Sequence, residues 1–307
     1  MGNSKSKLKA KTSSSLKLSQ TSNGKSTTAR ILAEREYHND EKSSYVLPKD
    51  DREKDRLHEQ HFLLKEKFGG NLLMPEVTGP LFEKELNVLD VGCGPATWLL
   101  ELSTEYPSSQ FYGVDIADVF PEAIHPPNLK LQIANILDKS FPYDVKFDFV
   151  QMRLFAVALR ENEWKIAFQN IHDKLNSGGL FQALEICPLL ETSDPDMQFL
   201  RGHLGDLMRK KQQNPDMAGQ LETVMEETNF EVIYKKRFDL PLGHGTQADI
   251  RTGDVYKQVL LGMAPFMAAQ MQIDVPTYIA KVEHAATRLG PSKSTIPMWG
   301  YIGRRID

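Results

Sequence analysis

The chain has 307 residues, of which 40% are hydrophobic and 25% charged, and its formal net charge is −4. This length suits one large domain with insertions, and the composition allows a real core but no run of about 18 apolar residues that could span a membrane. Two cysteines, Cys93 and Cys187, are too few for a disulfide framework and lie outside any zinc-binding pattern, so we expect a reducing, cytoplasmic setting and no metal site.

The N-terminal tail differs in composition from the rest of the chain. Its first 33 residues carry seven basic residues and no acidic one, and Ser, Thr and Lys dominate. We therefore expect residues 1–40 to be disordered. The opening MGNSKS fits the pattern for N-myristoylation of Gly2, and the following lysines would add attraction to anionic lipid, which predicts reversible membrane association. The alternative is a basic tail that is merely solvated; we expect no nucleic-acid binding.

Residues 41–84 are predicted to form a helical cover ahead of the main sheet. A long helix is predicted over residues 51–68, with Asp50 or Asp51 as the cap and Gly69-Gly70 at its end. Its buried face recurs at helical spacing, through Leu57, His61, Leu64 and Phe68.

Strands and helices then alternate over residues 85–187. Strands are predicted at residues 88–91, 111–115, 129–133, 147–152 and 180–186, and helices at 97–106 and 162–175. This alternation predicts an α/β fold with a doubly wound, mostly parallel, seven-stranded sheet, which is completed by strands at 230–237 and at the C-terminus. Helical insertions at about 194–229 and 249–289 are expected to form a lid, all within one domain over residues 85–307.

The stretch VLDVGCGPAT predicts a ligand-binding turn between a strand and a helix. Gly92 and Gly94 let the backbone turn tightly and approach a ligand closely, and the helix start adds a positive end. A dinucleotide fingerprint would place a third glycine at Thr97, and Asp90 would repel a pyrophosphate but suits an ammonium group. Asp115, which ends the next strand, suits a ribose. A ribose without a pyrophosphate, together with an amino acid moiety, describes S-adenosylmethionine.

Five segments in order resemble the motifs of the class I S-adenosylmethionine-dependent methyltransferases: VLDVGCGPATW, FYGVDI, IANILD, FDFVQMR and LNSGGLFQALE. The resemblance covers about residues 85–187. With its flanks, the chain is similar to a group of fungal methyltransferases of secondary metabolism. A Rossmann-like methyltransferase fold and S-adenosyl-L-methionine as the cofactor are what this resemblance implies.

The resemblance also implies a set of cofactor-binding residues. They are Asp90 and the loop Gly92, Cys93 and Gly94 for the methionine part, Asp115 for the ribose, Ile116, Asn135 and Ile136 around the adenine, Arg153 at the pocket floor, and Tyr45 closing over the cofactor. Asn135 departs from the pattern, because many relatives carry Asp there. His58 and His61 of the predicted helix are expected beside Tyr45.

The predicted function is methyl transfer to the O, N or C atom of a small molecule. The donor is already activated, so positioning in a dry pocket can supply much of the catalysis, and no catalytic residue is predicted. Acceptor specificity is expected from the helices after Cys187. The alternatives are a regulatory or interaction protein that retains the fold, and an NAD-dependent oxidoreductase, which Thr97 and Asp90 disfavour.

Overall fold

The computed structural model describes residues 15–19, 27–38, 43–121 and 126–307. The strands in this part of the chain are β1 (Ser15–Ser19), β2 (Thr27–Leu32), β3 (Arg35–His38), β4 (Asn87–Val91), β5 (Gln110–Asp115), β6 (Leu129–Ile133), β7 (Phe147–Arg153), β8 (Leu175–Ile186), β9 (Phe230–Pro241) and β10 (Thr295–Arg305). The helices are α1 (Asp51–Phe68), α2 (Pro75–Phe82), α3 (Thr97–Glu105), α4 (Glu163–Lys174), α5 (Pro195–Lys210), α6 (Leu221–Glu226), α7 (Gln247–Gly262), α8 (Ala264–Met271) and α9 (Val275–Ala286).

Seven strands form the central sheet, in the order β6-β5-β4-β7-β8-β10-β9. The five strands from β6 to β8 are parallel, whereas β10 lies antiparallel between β8 and β9. The strand order reverses at β4, so a crevice opens at the carboxyl ends of β4 and β7. The predicted doubly wound, mostly parallel, seven-stranded sheet is confirmed.

Both faces of the sheet are covered by buried apolar side chains. Val88 and Phe149 belong to the cluster on one face, which also includes Trp98, whereas Leu89 and Phe147 belong to the cluster on the other. Successive residues of a strand point to opposite faces, so nearly continuous apolar strands are needed where helices cover both sides. This double cover holds the strand ends of the crevice at fixed positions.

Helix α1 spans the predicted residues because its two ends are capped. Asp50 accepts a hydrogen bond from the Glu53 backbone N–H, and acidic residues occupy the first turn, where the helix dipole favours negative charge. The helix ends at Gly69, whose N–H bonds to the Glu66 carbonyl. Its contacts with α3 and α7 place it across the crevice.

The helices after β8 lie in the two ranges where insertions were predicted. The first range holds α5, a 3₁₀ turn (Met217–Gln220) and α6, and the second holds α7, α8 and α9. The last strand of the parallel set is longer than predicted, because β8 begins at Leu175 and not at residue 180, and its first part contains Gly178 at φ +73°. Within the described residues, no helix is long and apolar enough to cross a membrane.

Within the predicted disordered tail, the structure describes residues 15–19 and 27–38, and these contain strands. Strands β1, β2 and β3 pair in an antiparallel sheet, and the end of this sheet is fastened to the main domain. Arg35 donates to Asp50 at 2.5 and 2.8 Å, and the buried Tyr37 hydroxyl donates to the Gly262 carbonyl at 2.7 Å. Composition missed these contacts because they join distant parts of the chain. The predicted myristoylation site, Gly2, lies outside the described residues.

Candidate functional site

A cavity of about 490 Å³ lies at the carboxyl ends of the parallel strands. The residues that follow β4, β5, β6 and β7 line one half of it, and α1 and residues 43–48 cover it. The size lies in the range of small-molecule and cofactor sites. Its position is the one expected for ligands of an open α/β sheet, where the strand order reverses.

The loop after β4 is fixed by backbone hydrogen bonds to β5. The N–H groups of Gly92 and Cys93 donate to the Val114 carbonyl at 2.8 and 3.1 Å. Gly92 has φ +66°, and a Cβ atom there would lie 2.4 Å from the Phe155 ring. Only glycine combines this left-handed backbone with so close an approach. Gly92, Cys93 and Gly94, which the sequence assigned to the cofactor, all line the cavity.

Asp115 lines the cavity and also braces the loop. One carboxylate oxygen accepts from the Gly94 N–H at 2.9 Å, and the other accepts from the Ala117 N–H at 2.9 Å. An ionised carboxylate has about four lone-pair sites, so each oxygen keeps acceptor capacity for a ligand hydroxyl. The sequence did not predict these two hydrogen bonds from backbone N–H groups to Asp115.

Asp90 lies behind the loop and is not among the residues that line the cavity. Its side chain is 2% exposed, its Oδ2 has no hydrogen-bond partner among the described residues, and burial raises the pKa of its carboxyl to about 7. In the sheet it lies between Gly113 and Gln151. The sequence placed Asp90 in contact with the ligand; in the structure it lies inside β4, one residue before the strand ends at Val91, and therefore behind the loop.

The buried carboxyls predict that the protein becomes less stable as the pH rises from 6.5 to 8.5. Burial raises the pKa of Asp90 to about 7 and that of Glu185 to about 8, whereas unfolded carboxyls are already ionised in this range. The folded state must therefore lose protons that the unfolded state has already lost, so stability falls with pH. Thermal unfolding should show a lower Tm at pH 8.5 than at pH 6.5, by roughly 2–4 °C for each ~1 kcal/mol lost from the free energy of unfolding. An Asp90→Asn, Glu185→Gln double variant should flatten the slope; an unchanged slope contradicts the assignment.

The predicted adenine-side residues come together at the opposite end of the loop. Ile116 is 39% exposed, Ile136 is buried, and both line the cavity. The Asn135 side chain accepts from the Leu137 N–H at 3.0 Å, so its carbonyl oxygen shapes the local turn. Tyr45, from the covering segment, lines the same cavity.

Helix α1 contributes the two histidines that the sequence expected near Tyr45, and an ion pair that the sequence did not predict. His58 contacts the Thr97 hydroxyl at 2.6 Å, and His61 lies between Glu101 and Arg153. Glu53 and Arg56 form a buried ion pair of 2.6 Å that lines the cavity. The three-residue spacing of that acid and base was the available signal, but helix surfaces carry many such pairs.

The other half of the cavity is apolar. Its lining comes from the end of β8, from α5 and α7, and from β9 and β10: Ile186, Pro188, Leu204, Leu240, Leu242, Val255, Tyr256, Val259, Leu260, Met263 and Ile296. Helix α7 also contributes Thr252 to the lining, and both polar side chains are paired: the Tyr256 hydroxyl donates to the Pro188 carbonyl at 3.2 Å and the Thr252 hydroxyl to the Ala248 carbonyl at 2.8 Å. This half can therefore hold an apolar molecule and exclude water.

The comparison with protein families decides what this site belongs to. Residues 40–235, more than half of the chain, match the family described as methyltransferase domain. The chain belongs to this methyltransferase family. It is an S-adenosylmethionine-dependent methyltransferase, and the predicted resemblance is confirmed.

Named relatives of this methyltransferase come from fungi. It is 26% identical over 230 residues to the N-methyltransferase gliN of Aspergillus fumigatus, covering 72% of this chain and 80% of that protein. It is 30% identical over 152 residues to the secondary metabolism regulator laeA of Coprinopsis cinerea, covering 48% of this chain and 37% of that protein. A solved structure, that of a putative sarcosine dimethylglycine methyltransferase from Galdieria sulphuraria, aligns with a TM-score of 0.45 and 13% identity. The alignment covers 86% of this chain and 93% of that one.

The residues of the methyltransferase cavity fit S-adenosylmethionine. The Gly92 turn leaves a surface of backbone with no Cβ atom, Asp115 keeps acceptor capacity, and an exposed apolar surface, Ile116, lies beside it. These features match, in order, the methionine chain with its sulfonium, a ribose and an adenine. The adjoining apolar half leaves room for a second molecule.

Proposed function

We propose that this methyltransferase methylates a nitrogen atom of a small molecule with a largely apolar body. The observation that carries the proposal is the apolar half of the cavity, which adjoins the glycine loop and is lined by residues of α5, α7 and the ends of β8, β9 and β10. Apolar walls with few polar groups are typical of small-molecule sites.

The cofactor half would hold S-adenosylmethionine through the residues already described. The loop at Gly92 and Gly94 would lie along the methionine part, Asp115 would accept from the ribose, and Ile116 would pack against the adenine. When bound, the cofactor supplies an activated methyl group. What the protein adds is alignment of the two reactants and exclusion of water.

Nitrogen is favoured over oxygen because the apolar half contains no carboxylate or histidine that could act as a base, and the Tyr256 hydroxyl there already donates to the Pro188 carbonyl. Its lining has no Asp, Glu or His, whereas an alcohol or phenol would have to lose a proton to react. A buried amine loses its proton more readily, because burial disfavours the charged form. The relative named N-methyltransferase gliN supports the same choice.

Turnover measurements test the proposal. The purified protein would be incubated with methyl-labelled S-adenosylmethionine and with matched apolar amines, phenols and carboxylic acids. Val259→Asp places a charge in the apolar half, and burying an unpaired carboxylate beside an apolar acceptor is costly. The variant should therefore turn over the best amine at least about 10-fold more slowly. Its affinity for S-adenosylhomocysteine, which binds in the other half, should be unchanged. The control is Ile250→Asp, at an exposed position of the same helix. Methylation of phenols alone would contradict the choice of nitrogen.

A second candidate is a regulatory protein that binds the cofactor and acts through a partner. The relative named secondary metabolism regulator laeA favours it. Under this alternative, S-adenosylhomocysteine would bind, but no small molecule would be labelled, and Val259→Asp would have no effect on any transfer. The two candidates therefore differ in one assay.

A further inference from the structure

A chain of three charged or titratable side chains links α3, α1 and the end of β7. Glu101 contacts the His61 ring at 2.7 Å through Nε2, and the other ring nitrogen of His61, Nδ1, lies 3.4 Å from an Arg153 guanidinium nitrogen. His61 and Arg153 both line the cavity. Glu101 and His61 lie outside the five motif segments that carry the family resemblance.

The partners of His61 fix its tautomer. A guanidinium can only donate, so the Nδ1 atom that faces Arg153 must be the acceptor. The proton then resides on Nε2 and is donated to Glu101. Burial, together with the positive charge of Arg153, lowers the pKa of His61 to about 4, which keeps the ring neutral near pH 7.

Glu101 is itself held in place. Lys65 donates to it at 2.7 Å and Asn71 at 3.0 Å. Burial opposes ionisation, but these hydrogen bonds, with that of His61, outweigh it and lower the pKa of Glu101 to about 2. The carboxylate therefore orients the His61 ring, and the ring in turn orients Arg153.

Arg153 has more donors than the described residues satisfy. It has five guanidinium N–H donors, His61 is its one side-chain hydrogen-bond partner in the described part of the chain, and no carboxylate there lies within ion-pair distance. Asp90 lies close enough to favour its charge but forms no ion pair with it. A cation in a cavity with unused donors is suited to a planar anion, which a guanidinium can bind through two hydrogen bonds.

The strand order indicates which anion this is. Asp115 ends β5 on one side of the glycine loop, and Arg153 ends β7 on the other, one residue beyond the pairing of Val91 with Met152. A molecule whose ribose lies at Asp115 and whose chain follows the loop has its far end near Arg153. In S-adenosylmethionine that end carries the carboxylate.

We propose that Arg153 binds the methionine carboxylate of the cofactor and that His61 and Glu101 are positioning residues that aim its guanidinium. This inference rests on the proposed placement of the cofactor. It assigns to α1 a part in ligand recognition as well as in covering the cavity.

The test compares two ligands that differ in the carboxylate alone. Calorimetry would measure the Kd of S-adenosylmethionine and of decarboxylated S-adenosylmethionine for the wild type and for Arg153→Met, Arg153→Lys and His61→Gln. Arg153→Met should weaken S-adenosylmethionine roughly 10- to 100-fold and the decarboxylated ligand less than about 3-fold. Arg153→Lys should recover part of the loss, and His61→Gln should show a smaller loss with the same selectivity.

The control is Arg160→Met, because Arg160 lines the same cavity but is paired with Glu163 at 2.7 Å. It should leave the ratio of the two Kd values unchanged. Equal weakening of both ligands by Arg153→Met, or of neither, would overturn the inference, and circular dichroism would confirm that the variants fold. If the wild type bound neither ligand, the proposed cofactor placement would fail as well; binding of both with an unmoved ratio would overturn this inference alone.

Discussion

Asp115→Ala should weaken the binding of S-adenosylhomocysteine by about 3 kcal/mol, roughly 150-fold. Its carboxylate accepts the Gly94 and Ala117 N–H groups, and its remaining acceptor capacity faces the cavity. The substitution would remove the acceptors for the ribose and release the loop as well. Isothermal titration calorimetry measures the change.

The matched control for this prediction is Asp118→Ala. Asp118 lies three residues further on and is exposed, and it does not line the cavity. Its loss should leave the affinity within about 2-fold, since surface substitutions are usually within 0.5 kcal/mol. Equal affinity of the wild type and Asp115→Ala would remove Asp115 from the site.

Gly92→Ala should reduce S-adenosylhomocysteine binding at least about 100-fold. The new Cβ atom would lie 2.4 Å from the Phe155 ring, so either the ring or the loop must move, and the left-handed backbone adds strain of about 1 kcal/mol. Displacement of the loop changes the surface that the ligand contacts. Calorimetry of binding, together with the Tm of the free protein, separates the loss of affinity from the loss of stability.

Gly94→Ala is the informative comparison. Gly94 has a similar backbone angle, φ +54°, but a Cβ atom there would meet only the Leu57 side chain at an ordinary 3.7 Å. It should therefore show the backbone strain without the clash, and a much smaller loss of affinity. A Gly92→Ala, Phe155→Ala double variant should regain part of the binding; no recovery would mean that the ring is not the cause.

The sequence predicted the elements that local rules determine. The bounds of α1 follow from its Asp50 cap and from Gly69, and the end of β5 at Asp115 follows from an apolar run that stops at a charge. Parallel strands also bring their carboxyl ends to one edge of the sheet, so the sequence alone predicts that Gly92 and Asp115 lie close together.

The sequence could not predict contacts between side chains far apart in the chain. His61 and Arg153 are 92 residues apart, and nothing in either local pattern indicates that they meet. The depth of Asp90 depends on where its strand ends relative to the loop. The docking of Tyr37 on Gly262 depends on a helix that follows more than 200 residues later. Composition alone describes such a segment as unfolded.

Helix α1 touches both halves of the cavity. Leu57 packs near Gly94 at its cofactor end, and Lys67 pairs with Asp249 of α7 at its other end. A ligand that stabilises the position of this helix from one half of the cavity then also favours binding in the other half, and this coupling is reciprocal. We therefore expect positive cooperativity between donor and acceptor: each should bind more tightly when the other is already present.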